Sequence, residues 1–340
     1  MCAVSPKLIL VTGGTGYIGS HTVVELQQRG YKVLIADNLS NSHIEVLARI
    51  EKVTGIHPHF VKIDLTDKDA TRQLFTDYPV EAVIHFAALK AVGESVEQPL
   101  EYYRNNLDSL LNLLELCLEY KIKNFVFSSS CSVYGNATSL PIDEGSPVQP
   151  AQSPYANTKK IGEDILRDTA RVHPINITAL RYFNPVGAHS STQIGEFPIG
   201  TPLNLFPVVM QTAAGKRGKM MVFGNDYDTP DGSCIRDYIH VMDVAAAHVA
   251  AIDRMLNGKQ EDRYELYNIG TGKGLSVLEI LNAFERITGL KVNYEITGRR
   301  EGDVIQIFAD TSLANRKLGW KASRTLDDMI LSAWKWQQQL

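Results

Sequence analysis

Cysteine is scarce in this chain. Cys2, Cys117, Cys131 and Cys234 are scattered through 340 positions with no CxxC pair. Free thiols in a reducing compartment are the expectation. An excess of basic charge is also missing: 34 Lys and Arg stand against 38 Asp and Glu, a net charge of −4. Nothing therefore points to nucleic acid or to an anionic membrane as partner. No apolar run reaches the ~20 residues of a membrane span. The N-terminus carries no basic region followed by a cleavage site, so a cytoplasmic location is expected. The nine histidines show no HExxH or comparable metal spacing, and no metal is expected. His57-Pro58-His59 is the nearest approach to a pair and reads as a loop. There is no P-loop, internal repeat or low-complexity segment.

What is present is ordinary globular composition, 44% hydrophobic and 21% charged. That is enough for a large core and two lobes. Lys7 to Thr12 is a short apolar run suited to a buried parallel strand. Gly13-Gly14-Thr15-Gly16-Tyr17-Ile18-Gly19 follows, then a helical pattern to Arg29. Gly13, Gly16 and Gly19 permit a tight turn, close approach to a pyrophosphate and close helix–strand packing. The helix N-terminus behind them offers free N–H groups to the phosphates. A lone glycine triplet is weak; one between a strand and a helix points to a dinucleotide.

The second strand, Lys32 to Ala36, ends at Asp37. A carboxylate about 20 residues past the glycines accepts hydrogen bonds from an adenosine ribose. It repels a 2′-phosphate, which favours NAD over NADP. The alternative role for Asp37 is a cap or turn residue, as for Asn38, Ser40 and Asn41. The alternation continues with a strand at Phe60 to Ile63, ending at Asp64 and Leu65, where an adenine could rest. A helix is expected over Asp67 to Tyr78 and a strand over Val80 to Phe86. Ala87 and Ala88 then let the backbone approach a cofactor, and Lys90 is either a ribose ligand or a solvated loop lysine. A long helix over Pro99 to Tyr120 carries Asn105 and Asn106. The next strand, Asn124 to Ser129, runs into Ser130-Cys131-Ser132. Strands alternating with helices predict an α/β fold, a Rossmann-type doubly wound parallel sheet with a smaller C-terminal lobe. Ligands of such sheets lie at the carboxyl ends of the strands, where each of these motifs sits.

Tyr155 and Lys159 lie one helical turn apart in Tyr155-Ala156-Asn157-Thr158-Lys159, behind Pro154, on a helix expected to reach Val172. An ammonium beside a phenol favours the phenolate and lowers its pKa from about 10. Such a tyrosine can take a proton from a sugar or alcohol hydroxyl. Alone, this pair is more simply a surface Tyr and Lys; the dinucleotide motifs before it change that balance. Ser130 sits close to the expected nicotinamide position and can relay the proton of a substrate oxygen.

The glycine triplet, Asp37, Ser130, Tyr155 and Lys159 together resemble the extended short-chain dehydrogenase/reductase superfamily. Three longer runs narrow the resemblance to its UDP-glucose 4-epimerase family: His85-Phe86-Ala87-Ala88-Leu89-Lys90-Ala91-Val92-Gly93-Glu94-Ser95, Leu180-Arg181-Tyr182-Phe183-Asn184-Pro185-Val186-Gly187-Ala188-His189 and Arg236-Asp237-Tyr238-Ile239-His240-Val241-Met242-Asp243. The likeness extends from Lys7 to about Trp336. That family commonly has Ala-Thr where this chain has Cys131-Ser132, and Tyr-Gly where it has Tyr155-Ala156. Ser132 keeps a hydroxyl but loses the methyl group that stiffens χ1.

The resemblance implies a reversible C4 epimerisation of UDP-galactose and UDP-glucose through a 4-keto sugar, with bound NAD and a homodimer built through helices near 100–120 and 155–172. It assigns catalysis to Tyr155, Lys159 and Ser130. It adds Tyr17, Ile18, Ser42, Phe86, Asn105 and Phe183 to the cofactor residues named above. It gives the substrate to Lys90, Ser132, Asn184, Asn204, Leu205, Met221, Phe223, Arg236, Arg300 and Asp303, besides Ser130 and Tyr155. The two arginines suit a diphosphate because a guanidinium fork matches its oxygens. Residues 1–183, with 241–270 returning, form the expected cofactor domain; 184–240 and 271–340 form the substrate lobe. Helices are expected over Val241–Met255, Val277–Thr288 and Thr325–Gln339, and strands over Asn176–Tyr182 and Leu266–Gly270.

Arg300-Glu301-Gly302-Asp303 leads into a strand expected over Val304 to Ala309. By the same resemblance Ile307 lines the space in which the sugar turns, although a plain core role explains it equally well. Two other functions use similar parts. A nucleotide-sugar dehydratase needs an Asp-Glu pair where Cys131 and Ser132 stand. A redox-sensing or scaffold Rossmann protein commonly lacks the Tyr or the Lys, and this chain has both.

Overall fold

The computed structural model describes residues 7–137, 139–300 and 303–340. Met1 to Pro6, with Cys2, and the Glu301-Gly302 pair of the expected anchoring run lie outside the described residues. Strands in chain order are β1 (Leu8–Thr12), β2 (Lys32–Asp37), β3 (His59–Lys62), β4 (Ala82–His85), β5 (Asn124–Ser130), β6 (Asn176–Tyr182), β7 (Asn184–Val186), β8 (Met220–Phe223), β9 (Ile235–Arg236), β10 (Tyr238–His240), β11 (Tyr264–Ile269), β12 (Leu275–Ser276), β13 (Tyr294–Thr297) and β14 (Gln306–Ile307). The α-helices are α1 (Tyr17–Gln28), α2 (Val46–Thr54), α3 (Lys68–Asp77), α4 (Val92–Glu97), α5 (Pro99–Tyr103), α6 (Ser109–Glu119), α7 (Pro154–Val172), α8 (Leu205–Ala213), α9 (Val241–Leu256), α10 (Val277–Thr288), α11 (Ser312–Lys317) and α12 (Leu326–Gln337).

Seven strands form one sheet in the order β11-β6-β5-β4-β1-β2-β3. Every neighbouring pair in it is parallel. This is the expected doubly wound architecture. Parallel strands need crossover helices, and those helices bury both faces. The period of two along β1 divides its side chains: Ile9 and Val11 join the core beneath α1 and α9, Leu8 and Leu10 the core beneath α3, α6 and α7. Past Asn184 the chain builds three small sheets, β7 with β10, β8 with β13, and β9 between β12 and β14. A separate core of Phe206, Val209, Val222, Phe284 and Ile330 supports them. Among the described residues, no helix is long and apolar enough to cross a membrane.

Local signals account for several boundaries. Helix α7 starts at Pro154, with the Ser153 hydroxyl accepting from the N–H of Ala156. Helix α10 has a capping box of Ser276 and Glu279. Other expectations need correction. The helix expected over Pro99 to Tyr120 is interrupted: Arg104–Asp108 forms a π-turn between α5 and α6. Such turns arise where a wider backbone serves a local need, and here it directs Asn106 inward. Of the strand expected over Val304 to Ala309, Gln306 and Ile307 pair with Ile235 and Arg236, and Ala309 forms an isolated parallel bridge with Ile142. Helices α2, α4, α8 and α11 lie in stretches to which the sequence reading assigned no element. His59, read as part of a loop, opens β3 and pairs with Leu34. Cys117, Cys131 and Cys234 are free, as expected.

One polar link ties α7 to the sheet. Glu163 on α7 accepts from Arg181 on β6, Oε1 from Nε at 2.8 Å and Oε2 from Nη2 at 2.5 Å. The side chains are only 3% and 2% exposed. Ser129 on β5 donates to the same carboxylate at 2.5 Å. Removing one partner of such a pair strands the other charge in a medium that cannot solvate it. Glu163→Gln should therefore destabilise the protein by about 3–5 kcal/mol, whereas Glu163→Leu combined with Arg181→Met should recover most of that loss. Urea unfolding of the three variants measures both effects. A loss below about 1 kcal/mol in Glu163→Gln would be the range of an exposed pair and would contradict the assignment.

Candidate active site

The phosphate turn lies between β1 and α1. Gly13 has φ +69°, and a Cβ there would stand 2.7 Å from the N of Ala87. The turn thus packs directly on the chain leaving β4. A Cβ on Gly19 would stand 2.2 Å from the Gly13 carbonyl oxygen, so the first turn of α1 fits only without a side chain. Gly16 caps α1 without a side-chain hydrogen bond to its end, leaving N–H groups for an anion. Ile18 lies in the first turn of α1. Tyr17, assigned to the cofactor, spends its hydroxyl on the carbonyl of Gly187, 2.6 Å away. Asp37 ends β2 and accepts from the N–H of Thr15 at 3.2 Å and of Leu39 at 2.9 Å. Its carboxylate is thereby aimed beside the turn, at the place a ribose would need it. This donor and acceptor set fits a dinucleotide.

Asn41, Ser42 and Lys90 line the same cavity as Thr15 to Tyr17. Asn38 accepts from the N–H of Ser40 at 2.9 Å, so this pair shapes the turn after β2. Asp64 accepts from the N–H and hydroxyl of Thr66, at 2.9 and 2.7 Å, a local turn function. The Leu65 carbonyl accepts from Asn112. Phe86 packs against His248 with ring centroids 4.6 Å apart, and Ala87 and Ala88 follow it past the end of β4. Asn105 donates to Asn106, while Asn106 clamps the 86–90 loop: it accepts from the N–H of Leu89 at 2.8 Å and donates to the Leu89 carbonyl and to Thr158. The clamp on this side is therefore Asn106, which sequence reasoning named but gave no role.

Ser130 ends β5, and its hydroxyl accepts from the N–H of Ser132 at 3.2 Å; it is near enough to the Tyr155 phenol on α7 to act on its ionisation. Lys159, expected beside the Tyr155 phenol, is bonded to the end of β5. Its ammonium donates to the carbonyl of Ser128 at 2.7 Å and lies over the Phe127 ring, 4.9 Å from the centroid. Burial is the largest influence on Tyr155 and pushes its phenol well above the ordinary range, with Ser130 opposing. Burial brings the Lys159 ammonium down to about 8. His85, beside it, is held near 3, chiefly by burial and then by the Lys159 charge, and stays neutral.

Two buried polar atoms near Ser130 have no partner in the protein: Ser132 Oγ and Asn184 Oδ1. They follow the carboxyl ends of adjacent strands, β5 and β6. Buried acceptors and hydroxyls are almost always bonded, so a pair left open marks a place for a ligand. Phe183 and Ile307 pack in one cluster with Cys131 at its edge. Burial pushes the Cys131 thiol up to about 12, with Arg236 acting against that shift. Arg236 is thus near the end of β5, although 105 positions separate it from Cys131.

Asp303 joins both arginines of the second lobe. It accepts from Arg300 Nη2 at 2.6 Å and stands 3.7 Å from Arg236 Nη2. The Arg300 guanidinium also covers Phe223, 5.2 Å from the ring centroid. Met221 and Phe223 occupy the exposed face of β8. Asn204 precedes Leu205 at the start of α8 and donates to Glu196 at 3.2 Å. Asp237, absent from the sequence-based site, holds this lobe together. It accepts from the N–H groups of Thr271, Gly272 and Ala309 and from the Thr271 hydroxyl. Arg181 and Asp237 share one signal, a charge inside an apolar strand or next to one.

Comparison with known proteins agrees with this geometry. The Epimerase family, described as the NAD dependent epimerase/dehydratase family, matches residues 9–270. A UDP-glucose 4-epimerase of Yersinia enterocolitica is 49% identical over 332 residues, covering 97% of each chain. The solved UDP-glucose-4-epimerase of Stenotrophomonas maltophila, with bound NAD and formylated UDP-arabinopyranose, superposes with a TM-score of 0.95 at 47% identity, covering 98% of both chains. That of Bifidobacterium longum, in complex with NAD+ and UDP, has a TM-score of 0.94 at 46% identity over 98% of both chains.

The tight turn yields a test independent of turnover. Gly19→Ala places a methyl group against backbone, and overpacking of this kind costs about 1–3 kcal/mol. The purified variant should carry less dinucleotide and unfold at lower temperature than the parent. Gly93→Ala, with nothing within 4 Å of the added atom, should match the parent in both. Nucleotide recovered from denatured protein and a thermal melt give the readings; parental values for Gly19→Ala would refute the close packing.

Proposed function

The chain belongs to the NAD dependent epimerase/dehydratase family, among its UDP-glucose 4-epimerases, and we propose that it interconverts UDP-galactose and UDP-glucose by inverting C4. The observation that carries this reading is the group at the ends of β5 and β6: Tyr155 beside Ser130, with Ser132 Oγ and Asn184 Oδ1 unbonded. The reaction belongs to galactose metabolism. NAD, when bound, supplies reversible acceptance of a hydride from C4.

The chain's own residues handle the proton and the anchor. Tyr155 takes the C4 hydroxyl proton and later returns it, and Ser130 bridges between the phenol and the sugar oxygen. Burial is the chief influence opposing ionisation of Tyr155, with Tyr182 adding to it, so the bound reactants must favour its phenolate. Lys159 orients the end of β5 through the Ser128 carbonyl and holds the nicotinamide ribose, and Lys90 lines the cavity beside the phosphate turn. Arg236 and Arg300 bind the diphosphate with Asp303 aligning both forks. Met221 and Phe223 offer the base an apolar face. Asn184, Asn204 and Leu205 complete the nucleotide end. The anchored nucleotide leaves the 4-keto sugar free to turn, because one hydride donor must serve both faces.

The cofactor domain consists of residues 1–183 and 241–270, and the substrate lobe of the remainder. The chain acts as a homodimer in the cytoplasm. The proposed interface is the seam of α6 and α7, where Leu111 and Val172 are 41% and 69% exposed, a degree of apolar exposure that a partner would cover.

The test of function is incubation with UDP-galactose and no added NAD. UDP-glucose should form with no accumulation of NADH; NADH matching product would indicate a dehydrogenase. Tyr155→Phe should keep its nucleotide and lose turnover by roughly 10²–10⁴-fold, the worth of general acid–base catalysis. A loss below tenfold would remove Tyr155 from that role.

Sugar choice supplies a second test. Ile307 is buried and packs with Phe183, a branched apolar wall without a donor or acceptor. Burying an acetamido group there without a partner costs roughly 1–3 kcal/mol. UDP-galactose should be the good substrate and UDP-N-acetylgalactosamine a poor one. Ile307→Ser should improve the second relative to the first. The ratio of kcat/KM for the two sugars decides: equal use by the parent denies that Ile307 restricts the pocket, and an unchanged ratio in the variant denies that it lines it.

A further inference from the structure

Three distant segments meet at one rim of the cavity beside the phosphate turn. Arg49 comes from α2, Phe197 from the loop before α8, and Trp336 from the last turn of α12; all three line that cavity. The Arg49 guanidinium lies 5.8 Å from the Phe197 ring centroid and 5.2 Å from that of Trp336. Phe197 meets Trp336 edge-on at 6.1 Å, and the His43 ring stacks on its other side at 4.1 Å. Trp336 donates its Nε1–H to the Glu196 carbonyl at 2.8 Å. A Cβ on Gly195 would stand 2.5 Å from the Trp336 ring, so the loop and helix are in full contact. Among the described residues, Arg49 forms no salt bridge. Its cation is held by π-faces and by the Gln193 carbonyl, 3.4 Å away.

The opposite wall of the cavity is the turn itself, Thr15 to Tyr17, with Asn41 and Ser42. The loop is tethered at its base, where the Tyr17 hydroxyl donates to Gly187 and Ala188 bridges Gly195. A dinucleotide seated on the turn is therefore flanked by a rim whose parts come from three separate elements. Those parts touch one another through stacking, a contact that can part and re-form without breaking the chain's core. Cation–π and aromatic pairs each make a modest contribution, suited to a barrier crossed from time to time.

We propose that Arg49, Phe197 and Trp336 form a clasp that sets how fast NAD leaves the holoenzyme. This rests on the reading of the cavity as an NAD site. The clasp residues are positioning residues: they close over the site and leave the contacts to the phosphates to the turn. Parting the clasp serves entry as well as exit, so breaking it speeds both and shifts the equilibrium affinity much less. A residue that bonded the cofactor would instead weaken affinity in step with release.

The experiment loads the holoenzyme with radiolabelled NAD and follows loss of label against excess unlabelled NAD. Arg49→Met and Phe197→Leu should each release label about tenfold faster than the parent, with the equilibrium dissociation constant within about threefold. Phe197→Tyr, which keeps the ring, should release at nearly the parental rate. Because Arg49 lies on a surface helix, its variant reads the clasp even if Phe197→Leu does not fold; thermal melts identify the folded proteins. Release by Arg49→Met within twofold of the parent overturns the clasp. A tenfold loss of affinity in step with release also overturns it, since that result makes Arg49 a direct ligand. A purified parent without NAD overturns the NAD reading itself, and its nucleotide content separates that failure from failure of the clasp.

Discussion

A charged pair buried between helix and sheet orders the catalytic half of this protein. Glu163 and Arg181 lock α7 against β6, and Ser129 joins them from β5. A helix on a sheet can slide and rotate along an apolar face with small changes in buried area. A bidentate ion pair tolerates little of either, because misalignment would leave a charge unsolvated. Tyr155 and Lys159 occupy the same helix, two turns and one turn before Glu163. The position of the Tyr155 phenol relative to the end of β5 is thus set from beneath by this buried pair. Arg181 carries the constraint further, with its guanidinium over the Tyr134 ring at 4.6 Å and Tyr134 bonded to Asn268 on β11.

Two other polar centres do comparable work at the edges. Asn106, turned inward by the π-turn, bonds both backbone groups of Leu89 and reaches Thr158 on α7. The loop carrying Lys90 is thereby registered to the helix carrying Tyr155. Asp237 collects four hydrogen bonds from the 271–272 turn and from Ala309. Its neighbour Arg236 pairs in register with Ile307. Wherever the second lobe is placed, Arg236 and the wall at Ile307 move with it. The site lies between these rigid centres, and Ser132 and Asn184 are among the residues whose buried polar atoms are left open.

Much of the frame was legible in the sequence because it follows from local rules. Apolar runs at Leu8 and Asn124 read as buried strands, the glycine turn read as a phosphate cradle, and Pro154 marked the start of α7. Asp37 stood at a strand end, which is where the geometry needs it. Readings faltered where a side chain's role depends on a distant partner. The spacing of Tyr155 and Lys159 suggested an ammonium beside a phenol, yet the ammonium turns to the Ser128 carbonyl. Asn105 was assigned to the cofactor and Asn106 given no role, and only the fold shows Asn106 bonded to Leu89. Trp336 lies in the last turn of α12, and helical periodicity does not reveal what it meets. Its partners are in the loop at 195–197.

The sequence by itself determined the alternating frame and the turn between β1 and α1. Each depends on interactions between residues a few positions apart, and local spacing records those. Tertiary structure alone decided which charge answers which. Glu163 meets Arg181 across 18 positions, Asp303 gathers two arginines from different segments, and Arg49 meets Trp336 from the far end of the chain. These contacts are fixed by the order of strands in the sheet and by the folding of the second lobe onto it. Hydrophobic patterning defines which face is buried, but it is nearly silent on which polar groups meet once both faces are covered.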